Sequence, residues 1–367
     1  MPQQKRILVF HPTIAPYRID FFNRLAERFE TKICLQYWNL NDQQFDYQKI
    51  YDQFLFVPTY LSGRSTISLC RSVTEQIRVF NPDVVLTNEY GLITLIAILL
   101  RAISRKRYRI VVISDDSYYM ITKRKDFSIK HRIARQLLAG RVDDVIVVEP
   151  RVEQWYQKKY KKGIFFPIIA DESKARSKYE RALSLSMDLA ERYNLSGKSI
   201  LLSVNRLVGL KNLHRVIDAF AQSKTDAVWV IVGDGPERTE LERHAEQVDK
   251  KILFIGHIEG EELYAWYNLA SVFILASYLE LFGAVTNEAL LAGCRVIISE
   301  IAGSSCLVNE KNGETIDPFN LNAITAAIDR QLSLSHIPDL SSLRDNLMGE
   351  SFEKLFRHLA NRLNSLE

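Results

Sequence analysis

Four side chains in the second half of the sequence are of the types that handle phosphates and hydroxyls. In LLSVNRLVGLKN, Arg206 and Lys211 follow a strand-like run, with Gly209 between them and a helical pattern after them. Ligands of an open α/β sheet sit outside the carboxyl ends of its strands, and two cations beside a helix N-terminus suit a phosphate or diphosphate. Locally, two solvated surface charges would look the same. In ELFGAVTNEALLAG, Glu280 and Glu288 stand among small and apolar residues. Phe282 and Gly283 look like a turn that opens a helix. That puts Glu280 on a loop and Glu288 about one turn inside the helix. A helix start favours anions, and carboxylates are bidentate acceptors for sugar diols. The plainer alternative is one glutamate offsetting the helix dipole and one solvated. In VWVIVGDGPERTELE, Gly233 and Gly235 flank Asp234, a turn whose glycines allow tight bending or close approach to a ligand. A dinucleotide fingerprint would carry a third glycine where Arg238 stands, so a dehydrogenase is excluded.

Positioning such residues requires a layered α/β scaffold. β-branched runs predict strands at Ile7–Phe10, Lys32–Tyr37, Phe54–Val57, Val84–Thr87, Ile110–Ile113 and Val145–Val148. A second series follows at Ile200–Val204, Val228–Val232, Leu253–Ile255, Val272–Leu275 and Val296–Ser299. Helical spacing falls between them, as in Phe21, Phe22, Leu25 and Phe29, in Val73, Ile77 and Phe80, and in Leu213, Val216, Ile217 and Phe220. This alternation on both sides of a polar, helix-rich stretch at 173–198 predicts two doubly wound parallel sheets. The chain divides into a domain at 1–170, a domain at 171–349 and a final helical segment at 350–367.

The 367 residues suffice for two cores. Cys34, Cys70, Cys294 and Cys306 are scattered without metal-ligand spacing, which favours a reducing compartment. MPQQKRILVFHP enters a strand directly, with no signal peptide, and a cytoplasmic location is expected. The longest apolar run, GLITLIAILL at Gly91–Leu100, is too short to span a bilayer and reads as a buried helix. Residues 1–170 carry 27 Lys and Arg against 16 Asp and Glu, whereas residues 171–367 carry 21 against 28. The basic clusters are Arg101–Arg109, Lys123–Lys125 and Lys158–Lys162. On charge alone they suit an anionic partner, such as nucleic acid, a phosphorylated ligand or an anionic membrane face, or else a solvated surface.

The order of these motifs resembles retaining glycosyltransferases of the GT-B fold, family 4, known as glycosyl transferases group 1. It carries R-x4-K (Arg206, Lys211), G-D-G-P (Gly233–Pro236), FIGHIEGEELYAWYNLASVFILAS, E-x-F-G-x4-E-A-x3-G (Glu280 to Gly293) and NEKNGETIDP (Asn309–Pro318). The resemblance implies two Rossmann-like domains facing across a cleft, an acceptor-binding first domain, a donor-binding second domain, and a last helix that crosses back to the first. It also implies site roles. Arg206 and Lys211 hold the donor diphosphate. Glu288 binds the ribose, and Glu280, the catalytic candidate, faces the donor sugar. Phe282 and Gly283 offer backbone N–H groups, Gly233 lies in the donor loop, and the base lies near Gly256–Ile258, with Ile258 in contact. Three residues depart from the pattern: Leu281, Asn205 before the arginine, and Cys306.

The first half matches the family less closely. HPTIAPYRIDFF has Pro12, Pro16 and Arg18 where many relatives have a glycine-rich loop, which looks like a subgroup of bacterial surface-polysaccharide enzymes. His11, Arg18, Glu89, Asp115 and Asp116 stand at or just past strand ends and are the acceptor-side candidates. An aspartate there would orient the acceptor hydroxyl or help remove its proton, or would simply cap a helix.

The expected activity is retaining transfer of a sugar from a nucleotide diphosphate donor, UDP-linked, to a glycan or lipid-diphosphate-linked acceptor in surface glycan synthesis. With cations supplied by side chains, no metal and no cofactor are expected, and nucleic acid is not an expected partner. The basic first domain would sit peripherally at the inner membrane face. The rival readings are a sugar-nucleotide epimerase of the same fold and a non-catalytic nucleotide-sugar-binding subunit.

Overall fold

A computed structural model describes residues 4–38, 47–62, 65–104, 107–123 and 128–366. Lys125 and parts of the expected clusters at 101–109 and 123–125 lie outside the described residues. The chain forms two compact units, one of residues 1–169 with 353–367 and one of residues 170–352.

The first unit is built on seven parallel strands: β1 (Arg6–His11), β2 (Glu30–Leu35), β3 (Thr59–Tyr60), β4 (Val84–Asn88), β5 (Arg109–Ser114), β6 (Asp144–Val147) and β7 (Ile164–Phe165). Their spatial order is β3-β2-β1-β4-β5-β6-β7. The order reverses between β1 and β4, and a crevice opens at the carboxyl ends of such a pair. Apolar side chains of the central strands are buried on both faces, as a parallel sheet covered by helices requires. The helix Phe352–Asn364 joins this unit. Phe356 packs edge-on against Phe21 and Phe166, Arg362 pairs with buried Asp144 at 2.9 Å, and Lys5 donates to the carbonyls of Leu363, Asn364 and Leu366 at the helix end. A cation at that end also answers the helix dipole.

The second unit is a six-stranded parallel sheet: β8 (Ile200–Val204), β9 (Val228–Val232), β10 (Ile252–Gly256), β11 (Val272–Leu275), β12 (Arg295–Ser299) and β13 (Gly313–Ile316). The order β10-β9-β8-β11-β12-β13 places the reversal between β8 and β11. One core cluster lies on each face, Trp229 and Phe220 on one and Trp266, Tyr267 and Phe273 on the other.

Two expectations need correction. Phe54–Val57 is not a strand. The Asn23 side chain satisfies that backbone, accepting from Leu55 N–H at 2.9 Å and donating to the Gln53 carbonyl at 2.8 Å, and the β2 partner is Thr59–Tyr60 instead. The apolar run at 91–100 is a helix, Leu92–Ile103, but it is not buried all round. Ile93, Ile96 and Ala97 face the core, while Leu92, Leu95, Leu99 and Ile103 face outward. The short strands β7 and β13 were not anticipated.

Candidate active site

In the second unit, the chain leaving β8 runs through Asn205, Arg206 and a tight turn at Gly209–Lys211 before the helix Leu213–Gln222. The chain leaving β11 runs through Ser277 and Glu280. These two loops flank the reversal in strand order, and there Lys211 Nζ donates to Glu280 Oε2. Ser277 Oγ lies 3.4 Å from the same oxygen. The two partners are 69 positions apart and only partly exposed. Lys211 has three N–H donors, so one bond to Glu280 leaves others for a phosphate oxygen. Arg206 is exposed, and its side chain makes no hydrogen bond or ion pair among the described residues.

The glycines around these loops allow backbone to touch backbone. Gly233 has φ +132°, and a Cβ there would lie 1.9 Å from the Asn205 carbonyl oxygen. A Cβ on Gly235 would lie 2.4 Å from the Leu207 carbonyl oxygen. The two loops therefore interlock, and Leu207 N–H donates to the Asp234 carbonyl at 2.9 Å. The Asn205 side-chain oxygen is buried and has no hydrogen-bond partner among the described residues.

Phe282 is buried, and its carbonyl accepts from Ser304 N–H at 2.7 Å. Gly283 has φ +89°, and a Cβ would strike Leu275, Ser304 and Glu280 side-chain atoms. The helix that follows is short, Val285–Leu291, and carries Glu288 in its first turn. Glu288 Oε2 accepts from the Tyr267 hydroxyl at 2.8 Å, and its main-chain carbonyl accepts from the Tyr179 hydroxyl at 3.1 Å. Burial raises the Glu288 carboxyl above the usual carboxylate range, while the Tyr267 hydroxyl and the Lys178 charge act against that rise. Ile258 packs against the same core cluster beyond Gly256, whose φ is +94°. Thus Lys211 and Glu280 are in contact. Glu288 is in a separate hydrogen-bonded pair with Tyr267, a residue the sequence reading did not single out.

In the first unit, the reversal between β1 and β4 brings together the residues after β1, β4 and β5. His11 Nδ1 bonds the Thr13 carbonyl, so Nδ1 carries the proton of the neutral ring, and the Asn88 side chain is a second hydrogen-bond partner of the imidazole. Burial, then the Arg18 charge, lowers the His11 pKa to about 4, so the ring is neutral at physiological pH. Arg18 is 3% exposed and pairs with Asp115, and its Nη1 is buried without a partner among the described residues.

Glu89 sits at φ +54°, a conformation that costs a non-glycine residue energy. Its Oε1 accepts from Asp115 N–H at 2.8 Å. Asp116 is fully buried and is held by His131 Nε2 at 3.1 Å and Arg135 Nη1 at 2.8 Å. The two carboxyls are pushed apart. Burial first, then the Asp116 and Asp115 charges, raise Glu89 well above the usual range. Asp116 is lowered, because His131 and Arg135 outweigh its burial. Glu89, Asp116 and His131 also lie close enough together to share a cation. Arg135 already supplies the positive charge on Asp116, so the cluster is an ion-pair network with its own cation. His131 and Arg135 are four apart on the helix Ile129–Leu138, and the sequence reading missed them. Their only sequence signal is that i, i+4 spacing.

Residues 188–347 match the family described as Glycosyl transferases group 1. An uncharacterized glycosyltransferase of Methanocaldococcus jannaschii is 33% identical over 141 residues, 37% of this chain and 36% of that protein. The alpha-D-kanosaminyltransferase of Streptomyces kanamyceticus is 27% identical over 151 residues, 40% of this chain and 39% of that protein. The match therefore spans a little over a third of these relatives' length. Among solved structures, the Anabaena protein HepE in complex with UDP and glucose superposes with a TM-score of 0.70 at 17% identity, over 99% of this chain and all of that one. That identity speaks for the fold alone. The chain has the α/β fold of GT-B glycosyltransferases, and its second unit carries the group 1 glycosyltransferase sequence pattern.

Proposed function

We propose that this chain is a metal-independent, retaining glycosyltransferase that moves a sugar from a UDP-linked donor to a glycan or lipid-diphosphate-linked acceptor. The observation that carries the reading is the Lys211–Glu280 pair at the reversal between β8 and β11, with Arg206 free beside it. A cation for the leaving diphosphate and a carboxylate for the electron-poor sugar are what cleavage of a sugar–phosphate bond needs side by side. The solved HepE complex, with UDP and glucose, is in keeping with such a donor.

In this reading Arg206 and Lys211 hold the diphosphate, and the backbone at Phe282 and Gly283 approaches it. Glu288 takes the ribose hydroxyls, oriented by Tyr267. Glu280 faces the donor sugar. Gly233 and Asn205 shape the loop, and the base lies by Ile258. The bond from the anomeric carbon to the diphosphate breaks, and the acceptor oxygen bonds to that carbon on the same face. The acceptor's proton passes to the departing phosphate oxygen. The first unit supports that route. Glu89 is raised by its burial and by the Asp116 and Asp115 charges, while Asp115 and Asp116 are occupied by Arg18 and by His131 with Arg135. These groups, with Arg18 Nη1, would bind and orient acceptor hydroxyls. A lipid-linked acceptor would bring the basic first unit to an anionic membrane face.

The test is incubation with UDP-glucose, UDP-galactose and GDP-mannose. Slow release of free UDP supports the transferase. An isomeric sugar nucleotide would make the chain an epimerase, and tight binding without turnover would make it a binding subunit.

A further inference from the structure

The helix Ile129–Leu138 turns part of its charge inward and part of its aliphatic surface outward, although Leu138 is buried and Lys130 exposed. Its charged residues Arg135 and His131 point inward, where they hold Asp116, with Arg135 only 3% exposed. Ile129, Ile133 and Leu137, spaced four apart, are 68%, 49% and 57% exposed. The helix Leu92–Ile103, which crosses from β4 to β5, has the same defect of surface chemistry. Leu92, Leu95, Leu99 and Ile103 form an outward stripe, with Ile103 82% exposed, and Arg101 is the helix's only charged residue. Both helices pack on one face of the first sheet through Ile93, Ile96, Ala97 and Leu138. The last turn of Leu92–Ile103 is tied to the segment that follows Ile129–Leu138, because Arg101 pairs with Asp143 and donates to the Arg141 carbonyl at 2.5 Å. Scattered exposed apolar residues are ordinary, but two neighbouring helices that turn aliphatic stripes outward mark a surface with a partner.

The charge of the same segment identifies that partner. Residues 92–141 contain twelve Lys and Arg against three Asp, and among the described residues none of these acids is exposed. Arg107, Arg109, Lys123, Lys130 and Arg141 are exposed around the stripes. Aliphatic side chains ringed by cations are suited to a bilayer interface with anionic headgroups, where the apolar face enters the acyl boundary and the cations meet the phosphates. A second copy of this surface would bring like charges together. Among the described residues, no helix is long and apolar enough to cross a membrane.

We infer that the Leu92–Ile103 and Ile129–Leu138 helices form a docking face by which the first unit inserts its aliphatic stripes into an anionic membrane. The inference rests on the lipid-linked acceptor proposed above and assigns it an entry side. It also makes the contact hydrophobic as well as electrostatic.

The test is flotation of the full chain with vesicles of phosphatidylglycerol and phosphatidylcholine, compared with phosphatidylcholine alone. The wild type is expected to float with the anionic vesicles. A Leu99→Asp, Ile103→Asp double variant is expected to lose about tenfold or more of its vesicle partitioning. That variant should keep the wild-type melting temperature and the wild-type rate of UDP release in solution, since neither residue belongs to the donor loops. UDP release without vesicle binding would leave the transferase reading standing and overturn the docking face. Equal flotation of the double variant and wild type would overturn it as well. So would a concentration-dependent dimer that the double variant dissolves, because the face would then belong to a second copy.

Discussion

Glu89 and Asp116 approach the same hydroxyl, Ser114 Oγ, at 3.2 Å each. A serine has one proton to give, so two ionised carboxylates could not both be served. With Glu89 protonated the chain closes: Glu89 donates to Ser114, Ser114 donates to Asp116, and Asp116 takes its remaining bonds from His131 and Arg135. Burial first, then the Asp116 and Asp115 charges, raise Glu89 against the Ser114 hydrogen bond, and Asp116 is lowered because His131 and Arg135 outweigh its burial.

The pH dependence of stability has a definite sign. Glu89 ionises at higher pH in the folded state than in the unfolded chain. Its contribution is complete below the ordinary carboxylate value of 4.5 and is lost as pH rises from there through the raised folded value. Glu89→Gln keeps a neutral donor at that position and removes the titration. The melting temperature of the variant relative to wild type should therefore climb steadily as pH is raised from about 5 to 8. A difference that stays constant across that range would mean that Glu89 is ionised in the fold.

Lys211 and Glu280 should separate binding from turnover. Lys211→Ala is expected to weaken UDP binding by about 1.5–3 kcal/mol, the worth of a charged hydrogen bond. Glu280→Gln should keep UDP binding and lose most UDP release from the sugar nucleotide. Calorimetric titration with UDP and a turnover assay check both. Full activity in Glu280→Gln would remove that carboxylate from the chemistry.

The donor half was more legible in the sequence than the acceptor half, for a physical reason. Arg206, Lys211, Glu280 and Gly283 sit on the loops that leave β8 and β11, and a parallel sheet sends the ends of all its strands to one edge. Strand recognition alone therefore brings them near each other. His131, Arg135 and Tyr267 lie on helix faces, and only packing decides which face turns inward. An amphipathic pattern predicts the apolar face inward for Ile129–Leu138, and the buried Asp116 reverses that choice. The loss of the strand at Phe54–Val57 has a similar origin, since Asn23 bonds that backbone from thirty or more positions away.

The close backbone crossing at Gly233 should be the least tolerant point of the donor loops. Gly197 and Gly233 both have positive φ, +72° and +132°, but nothing lies within 4 Å of a Cβ at Gly197. Gly197→Ala is expected to cost about 1–2 kcal/mol from backbone strain alone. Gly233→Ala adds a collision with the Asn205 carbonyl and should cost roughly 3 kcal/mol or more. Chemical denaturation of both variants checks the contrast. Equal costs would mean that the two loops separate without penalty.

Tyr267 gives the ribose assignment of Glu288 a test that does not depend on turnover. The Tyr267 hydroxyl stabilises the ionised form of a carboxyl that burial otherwise pushes up. If ionised Glu288 accepts from the ribose hydroxyls, UDP affinity should fall as pH falls through the Glu288 titration. Tyr267→Phe removes the donor and leaves the burial, so the Glu288 carboxyl rises further and the affinity loss begins at higher pH. UDP dissociation constants measured from pH 5 to 8 should therefore show the midpoint displaced upward in Tyr267→Phe. The two proteins should converge at the alkaline end, where Glu288 is ionised in both. A uniform loss of affinity with an unmoved midpoint would make Tyr267 a packing residue and take Glu288 out of nucleotide binding.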